Sequence, residues 1–133
     1  MKKRSFFKKA MLSLGAMATL TTPVNAQPKK YLKGKFIHMV YFWFNPDTDV
    51  DGFIEQTETF LKQVPVIQGY HIGKPAGTPR DIVDNSYSVS LVVTFNSKED
   101  QDAYQVHPVH VKYAERIQSL LSDIKIYDSW SAL

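Results

Sequence analysis

Four stretches of the chain have apolar patterns that are typical of β-strands. Residues 36–44 are rich in aromatic and β-branched side chains and are largely apolar on both faces, which predicts a strand covered on both sides. Residues 87–95 alternate between apolar and polar positions, which predicts a strand with one buried face. The shorter runs at residues 66–73 and 124–128 predict two further strands.

Two stretches have the periodicity of helices. Residues 51–64 place apolar side chains three and four positions apart, and Pro65 ends that helix. In the second stretch, a residue before a proline is disfavoured in a helix, so we expect one helix to end near His107 and another to run from Pro108 to about Leu121. The order β-α-β-β-α-β predicts an α+β, ferredoxin-like fold with a four-stranded antiparallel sheet.

The first strand has a consequence for assembly. In the predicted fold both helical regions cover the same face of the sheet, and the other face is bare. Met39, Tyr41 and Trp43 would lie on this bare face and form a larger apolar patch than a soluble monomer usually exposes. We therefore predict a homodimer in which two sheets pack face to face as a dimeric α+β barrel.

The N-terminal 26 residues have the composition of an export signal. Five basic side chains precede an apolar stretch at residues 10–20, which is too short to span a bilayer, and Val24 and Ala26 suit a cleavage site. We predict a signal peptide at residues 1–26, cleaved after Ala26, then a flexible lead at 27–35 and one domain at 36–130. The protein would be periplasmic or secreted, without a membrane anchor after cleavage.

Two observations refine this prediction. The segment from Lys3 to Lys8 resembles a twin-arginine motif with lysine in place of the first arginine, so the ordinary and the twin-arginine routes are both open. The chain has no cysteine, which excludes disulfides and lipid attachment at a signal-peptide cysteine.

Removal of the signal changes the sign of the net charge. The full chain has a formal charge of +3, but residues 27–133 carry 11 basic and 13 acidic side chains, a charge of −2. The high isoelectric point therefore belongs to the signal, and we predict no nucleic-acid partner.

His110 is the first candidate for chemistry. It lies in the first turn of the predicted helix, on the same apolar stripe as Ala114, Ile117 and Leu121. The positive end of the helix dipole disfavours a protonated imidazole, so we predict a neutral ring near pH 7 that can accept a proton. A polar ring on a buried stripe needs a hydrogen-bond partner or a chemical task, and both interpretations are open.

Four segments carry a resemblance to a known family: His38-Met39-Val40-Tyr41-Phe42, Tyr87 with Val93-Thr94-Phe95, Tyr104-x-x-His107-Pro108-x-His110, and Ile126-Tyr127-Asp128. They resemble the stress-responsive α/β-barrel (Dabb) family over about residues 36–129. The resemblance implies a dimeric α+β barrel, in agreement with the topology predicted above.

The resemblance also implies a chemistry, because at least one plant member cyclises a polyketide by aldol condensation without a cofactor. By this resemblance His110 would be the general base, and Tyr104 its partner or the donor that polarises a carbonyl. His38, His107 and Val89 are the residues expected to contact a small hydrophobic ligand. Val89 stands where the plant cyclase has a histidine, and a valine can line a cavity but cannot transfer a proton.

Three interpretations remain open from the sequence. The first is an exported small-molecule enzyme or binder with cofactor-independent lyase or cyclase chemistry. The second is a stress-associated structural or assembly protein in which the histidines and tyrosines only pack, because a fold does not imply a function. The third is a metal site at His107 and His110 with His38 or His71, although the sequence offers no acidic ligand at helical spacing.

Overall fold

The computed structural model describes Gln27, Lys29 and residues 31–133. The predicted signal peptide lies outside the described residues. The elements, in chain order, are β1 (Phe36–Phe44), α1 (Val50–Leu61), β2 (Gly69–Gly73), β3 (Val89–Phe95), α2 (Lys98–Val106), α3 (Pro108–Ile117), a 3₁₀ turn (Gln118–Leu120) and β4 (Leu121–Trp130). Within the described part of the chain, no helix is long and apolar enough to cross a bilayer.

The strands form one four-stranded sheet in the order β2-β3-β1-β4, and all neighbours are antiparallel. This is the ferredoxin-like topology, so the prediction of the fold class is confirmed. β1 is central: it pairs with β3 on one side and with β4 on the other. The β1–β4 register places His38 opposite Asp128, which brings two side chains 90 positions apart in the sequence onto neighbouring positions of one face.

The predicted starts of β1 and α1 are accurate to within one residue, whereas α1 ends at Leu61, before the predicted end at Val64, because residues 62–64 form a turn. β3 begins at Val89, two residues later than predicted. β1 spans the predicted residues, and α1 begins after Asp49, whose carboxylate caps the helix by accepting from the Gly52 N–H at 3.0 Å. β2 begins three residues later than predicted, because the chain after the helix first makes a turn in which Ile67 N–H donates to the Val64 carbonyl at 3.3 Å. β4 extends beyond the predicted residues at both ends.

The core lies between one face of the sheet and the three helices. β1 and β3 contribute alternate residues to it, and the largest fully buried side chains include Phe42, Phe95, Phe60 and Tyr104. The Phe60 ring stacks on the Tyr113 ring with centroids 4.1 Å apart, which joins α1 to α3. Fully burying a side chain of this size contributes roughly 2–3 kcal/mol, so this aromatic pair stabilises the packing of α1 against α3.

The opposite face of the sheet, called the bare face below, presents Met39, Tyr41 and Trp43 from β1 and Tyr127 from β4. The β1 residues are half-buried, and Tyr127 is 55% exposed. Together with the loop before β3 they line an open recess of about 380 Å³. The helices lie on the other face, so the apolar surface that the sequence predicted is present on this chain.

Candidate functional site

The break between α2 and α3 fixes the position of the His110 ring. Because Pro108 has no N–H, α2 ends at Val106, and the N–H of Val109 is donated to His107 Nδ1 at 3.2 Å. The carbonyl of Gln105, which a continuous helix would bond to the Val109 N–H, instead accepts from His110 Nδ1 at 3.1 Å. The proline therefore creates the helix cap and also the hydrogen bond that holds the His110 ring.

This hydrogen bond decides which nitrogen of His110 carries a proton. A carbonyl can only accept, so Nδ1 is the donor, and Nε2 of the neutral ring keeps a free lone pair. Burial lowers the pKa of His110, and the nearby His38 and His107 rings act in the same direction, while the bond to Gln105 opposes them. The lowered pKa agrees with the predicted neutral ring, and burial is its largest cause.

A second imidazole, that of His38, is held by a carboxylate. His38 Nδ1 lies 2.6 Å from Asp128 Oδ1, and because an ionised carboxylate only accepts, Nδ1 carries the proton and Nε2 is left free. His38 is 4% exposed, whereas the side chain of Asp128 is 44% exposed. No role for Asp128 could be predicted from the sequence, because its contact with His38 follows only from the register of β4 against β1.

Tyr104 lies next to both imidazoles. Its ring centroid is 5.9 Å from that of His38 and 4.3 Å from that of His110. Burial raises the pKa of Tyr104, so the side chain remains a neutral phenol that can donate a hydrogen bond. Among residues 31–133 its hydroxyl makes no hydrogen bond, in contrast to the hydroxyl of Tyr113, which lies 2.7 Å from Thr57 Oγ1.

A cavity of about 160 Å³ lies between the sheet and the α2–α3 corner. Its polar lining comes from His38, Tyr104, Gln105, His110 and Tyr113, and its apolar lining comes from Val40, Phe42, Leu91, Ala114, Ile117, Ile124 and Ile126. In the described part of the chain no fully enclosed polar side-chain atom lacks a hydrogen bond. Three polar atoms without a hydrogen bond are therefore not fully enclosed: Nε2 of His38, Nε2 of His110 and the Tyr104 hydroxyl. Because all three side chains line the cavity, these atoms are exposed to it.

The other two predicted contact residues, His107 and Val89, are not among the residues that line this cavity. His107 Nδ1 caps α3, and Val89 is fully buried in the core, whereas Leu91, two positions further along β3, does line the cavity. The sequence predicted the correct face of β3 but had no signal for the position along it. Across residues 31–133, no three His, Asp or Glu side chains are grouped so that they could hold a metal ion.

The profile of the stress responsive A/B barrel domain (Dabb) matches residues 36–131, which is most of the chain. The chain belongs to this family. It is 24% identical over 93 residues to a stress-response A/B barrel domain-containing protein of Arabidopsis thaliana, a match that covers 70% of this chain and 83% of the relative. The residues that carried the resemblance, from His38 to Asp128, all lie within the matched range.

Solved structures with the same fold include members with a described assembly or activity. A dimeric ferredoxin-like protein from Thermobifida fusca superposes with a TM-score of 0.62 at 21% identity, covering 80% of this chain and all of that one. Hydroxynitrile lyase from Passiflora edulis superposes with a TM-score of 0.66 at 14% identity, covering 74% of this chain and 94% of that one. At these identities the comparison shows the shared fold.

Proposed function

We propose that the protein is an exported homodimer that binds a small carbonyl compound in the 160 Å³ cavity and transfers protons without a cofactor. His110 is the general base and Tyr104 is the hydrogen-bond donor to the carbonyl oxygen. The observation that carries the proposal is the buried Tyr104 side chain, whose hydroxyl has no partner among residues 31–133 and borders the cavity beside an imidazole whose pKa is lowered by burial. A neutral base and a neutral donor side by side are the groups that enolate formation requires.

The proposed step is removal of a proton next to a carbonyl. The C–H bond breaks, its proton moves to His110 Nε2, and its electron pair forms the enolate. The enolate oxygen accepts the hydrogen bond of Tyr104, which the buried, low-dielectric surroundings strengthen. Addition of the enolate carbon to a second carbonyl group forms a C–C bond and an alkoxide, and the alkoxide takes up the proton that left the α-carbon. This addition within one molecule is cyclase chemistry, and its reverse is lyase chemistry. A structure of the same fold, that of the Passiflora edulis protein, is a lyase by name, which supports a lyase among the candidate activities.

The size of the cavity limits the ligand. A designed apolar cavity of about 150 Å³ accepts benzene, so a cavity of this volume fits one six-membered ring. Cyclohexanone is a suitable probe, because it combines such a ring with a carbonyl and exchangeable α-hydrogens. Ile124 and Ile126 at the edge of the cavity are 40% and 52% exposed, so a larger substrate has apolar surface to extend onto.

The test is exchange of the α-hydrogens of cyclohexanone for deuterium in D₂O, followed by mass spectrometry. The wild-type protein should accelerate exchange above the rate in buffer. His110→Ala should reduce the acceleration by about 100-fold or more, and Tyr104→Phe by about 100-fold. His71→Ala is the matched control, since His71 lies on β2 away from the cavity and should leave the rate unchanged. Equal rates in all four proteins would refute the proposal.

A non-catalytic role is the second candidate, and one observation favours it. Tyr104 and His110 belong to an aromatic cluster in which both rings lie near Phe60, at centroid distances of 6.1 and 5.9 Å. If these side chains only pack, Tyr104→Phe and His110→Ala will lower the melting temperature and no cyclohexanone will bind. NMR titration of the wild-type protein with cyclohexanone separates the two candidates.

The dimer part of the proposal rests on the bare face. Trp43 and Tyr41 are large apolar side chains on a face that no helix of the described chain covers, and packing a second sheet there would bury them. Relatives of the same fold are described as dimeric. Sedimentation should give the mass of a dimer, and Trp43→Glu should give a folded monomer. A wild-type monomer would refute this part without affecting the cavity.

The export part rests on residues 1–26. N-terminal sequencing of the protein recovered outside the cytoplasm should give Gln27 as the first residue, since Val24 and Ala26 suit signal peptidase. Arg4→Lys distinguishes the routes, because it should stop twin-arginine export and leave ordinary export intact. Retention of the whole chain in the cytoplasm would refute the proposal.

A further inference from the structure

We propose that Asp128 is a positioning residue, which fixes the tautomer of His38 and so presents a second free imidazole nitrogen to the cavity. This inference rests on the proposed function, because it assigns a further role at the same site. His38 would then act in the reaction as the partner of His110. The class of reaction is one in which a proton leaves one atom of the substrate and another atom receives one.

The sheet register makes the contact between the two side chains. β1 and β4 are antiparallel neighbours, His38 and Asp128 are direct partners in the register, and the Nδ1–Oδ1 distance is 2.6 Å. The His38 ring is almost fully buried, with Val40 and Phe42 as the next residues on the same face of β1. Among residues 31–133 no other side chain is hydrogen-bonded to the ring, so Asp128 alone determines which nitrogen carries the proton.

The surroundings of the two imidazoles differ in a way that separates their roles. The Nδ1 of His110 donates to a neutral carbonyl, and the ring packs against the rings of Tyr104 and Phe60. The Nδ1 of His38 donates to a carboxylate that is partly open to solvent. A proton held by His38 Nε2 would therefore leave a cation beside an anion, whereas one held by His110 would leave a cation without a counter-charge in contact. His38 Nε2 is thus suited to take over the proton that His110 has removed and to release it to the substrate's second atom or, in the exchange assay, to solvent.

The test uses ¹⁵N-labelled histidine in the full-length protein and long-range ¹H–¹⁵N NMR, which distinguishes a ring protonated on Nδ1 from one protonated on Nε2. Wild-type His38 should be protonated on Nδ1. Asp128→Ala should change the tautomer ratio about tenfold towards Nε2–H, because it removes a charge-assisted hydrogen bond. Asp128→Asn keeps an acceptor oxygen at the same position and should retain the wild-type tautomer. Asp123→Ala, on the same strand but facing Trp43, is the control.

The results distinguish this inference from the proposed function, because the tautomer is measured without substrate. An unchanged His38 spectrum in Asp128→Ala, or a wild-type ring protonated on Nε2, would overturn the positioning role even if exchange of cyclohexanone occurs. A changed His38 tautomer in Asp128→Ala, together with no cyclohexanone exchange by the wild-type protein, would support the positioning role and refute the proposed function. In the exchange assay Asp128→Ala should lower kcat about tenfold and leave KM unchanged. Asp128→Asn keeps the tautomer but not the counter-charge, so its kcat should lie between those of Asp128→Ala and the wild-type protein. If Asp128→Ala does not fold, the wild-type and Asp128→Asn spectra still decide between the outcomes.

Discussion

The two buried tyrosines of the cavity test the proposed role of Tyr104, because they differ in the hydrogen bonding of their hydroxyl groups. Tyr104 and Tyr113 are 2% and 3% exposed, and burial raises the pKa of both. The Tyr113 hydroxyl is bonded to Thr57, whereas the Tyr104 hydroxyl has no partner among residues 31–133. Tyr113→Phe therefore removes a hydrogen bond within the protein. Tyr104→Phe removes only a hydroxyl that can bind a ligand.

The direction of the hydrogen bond between Tyr113 and Thr57 determines how much unfolding free energy Tyr113→Phe should cost. Thr57 Oγ1 lies 2.7 Å from the Phe53 carbonyl, and since the carbonyl can only accept, the single Thr57 proton is used there. Tyr113 must then donate to Thr57, and Tyr113→Phe removes one buried neutral hydrogen bond worth about 1 kcal/mol. This corresponds to a fall in melting temperature of about 4 °C. Tyr104→Phe removes no protein hydrogen bond, so its unfolding free energy should change by less than about 0.5 kcal/mol.

Urea unfolding of both variants, at a pH where His110 is neutral, measures the difference. Thr57→Val is the control: it leaves the Tyr113 hydroxyl buried without an acceptor, and should cost about 1–3 kcal/mol. The double variant with Tyr113→Phe should show a coupling energy of about 1 kcal/mol. If Tyr104→Phe costs as much as Tyr113→Phe, the Tyr104 hydroxyl has a structural partner and its role as a donor to substrate is refuted.

Three further predictions follow from particular contacts. Burial lowers the pKa of His110 from its ordinary 6.5, so the unfolded chain binds the proton first on acidification, and the stability present above pH 6.5 is lost as the pH falls through the folded pKa. In urea unfolding at neutral and acidic pH, His110→Gln should lose less unfolding free energy on acidification than the wild-type protein. An equal loss in the two proteins would contradict the burial of the ring. Ala114→Leu should fill the cavity and weaken cyclohexanone binding about tenfold or more in an NMR titration, with Lys112→Leu on the same helix as a control that keeps the affinity. Ser97→Ala should cost about 1 kcal/mol in urea unfolding, because Ser97 Oγ accepts from the Asp100 N–H at 3.1 Å and caps α2, and an unchanged midpoint would show that water replaces the cap.

The sequence was informative where a local signal acts. The run at residues 36–44 and the Pro108 break set β1 and the α2–α3 corner, because side-chain alternation and the missing N–H act on neighbouring residues. The order of elements then leaves few topologies, and the ferredoxin-like sheet is one of them. The proximity of Tyr104, His110 and His38 was also predictable, because the Pro108 break places Tyr104 and His110 at one corner and the resemblance to the family places His38 beside them.

The remaining features depend on contacts between distant residues. Asp128 reaches His38 only because β4 pairs with β1 in one particular register, and nothing near Asp128 in the sequence specifies that register. The choice between Val89 and Leu91 as a lining residue depends on where the α2–α3 corner crosses β3. The burial that lowers the pKa of His110 likewise depends on packing between elements that are distant in the sequence.

The most direct test of the central claim is the position of bound cyclohexanone in a crystal structure of the protein. We expect the ketone in the 160 Å³ cavity, with its oxygen at hydrogen-bond distance from the Tyr104 hydroxyl and an α-carbon towards His110. The alternative site is the larger recess of about 380 Å³ on the bare face, among Tyr41, Trp43 and Tyr127. A ketone bound only in that recess, with the cavity empty, would contradict the proposed function of the cavity.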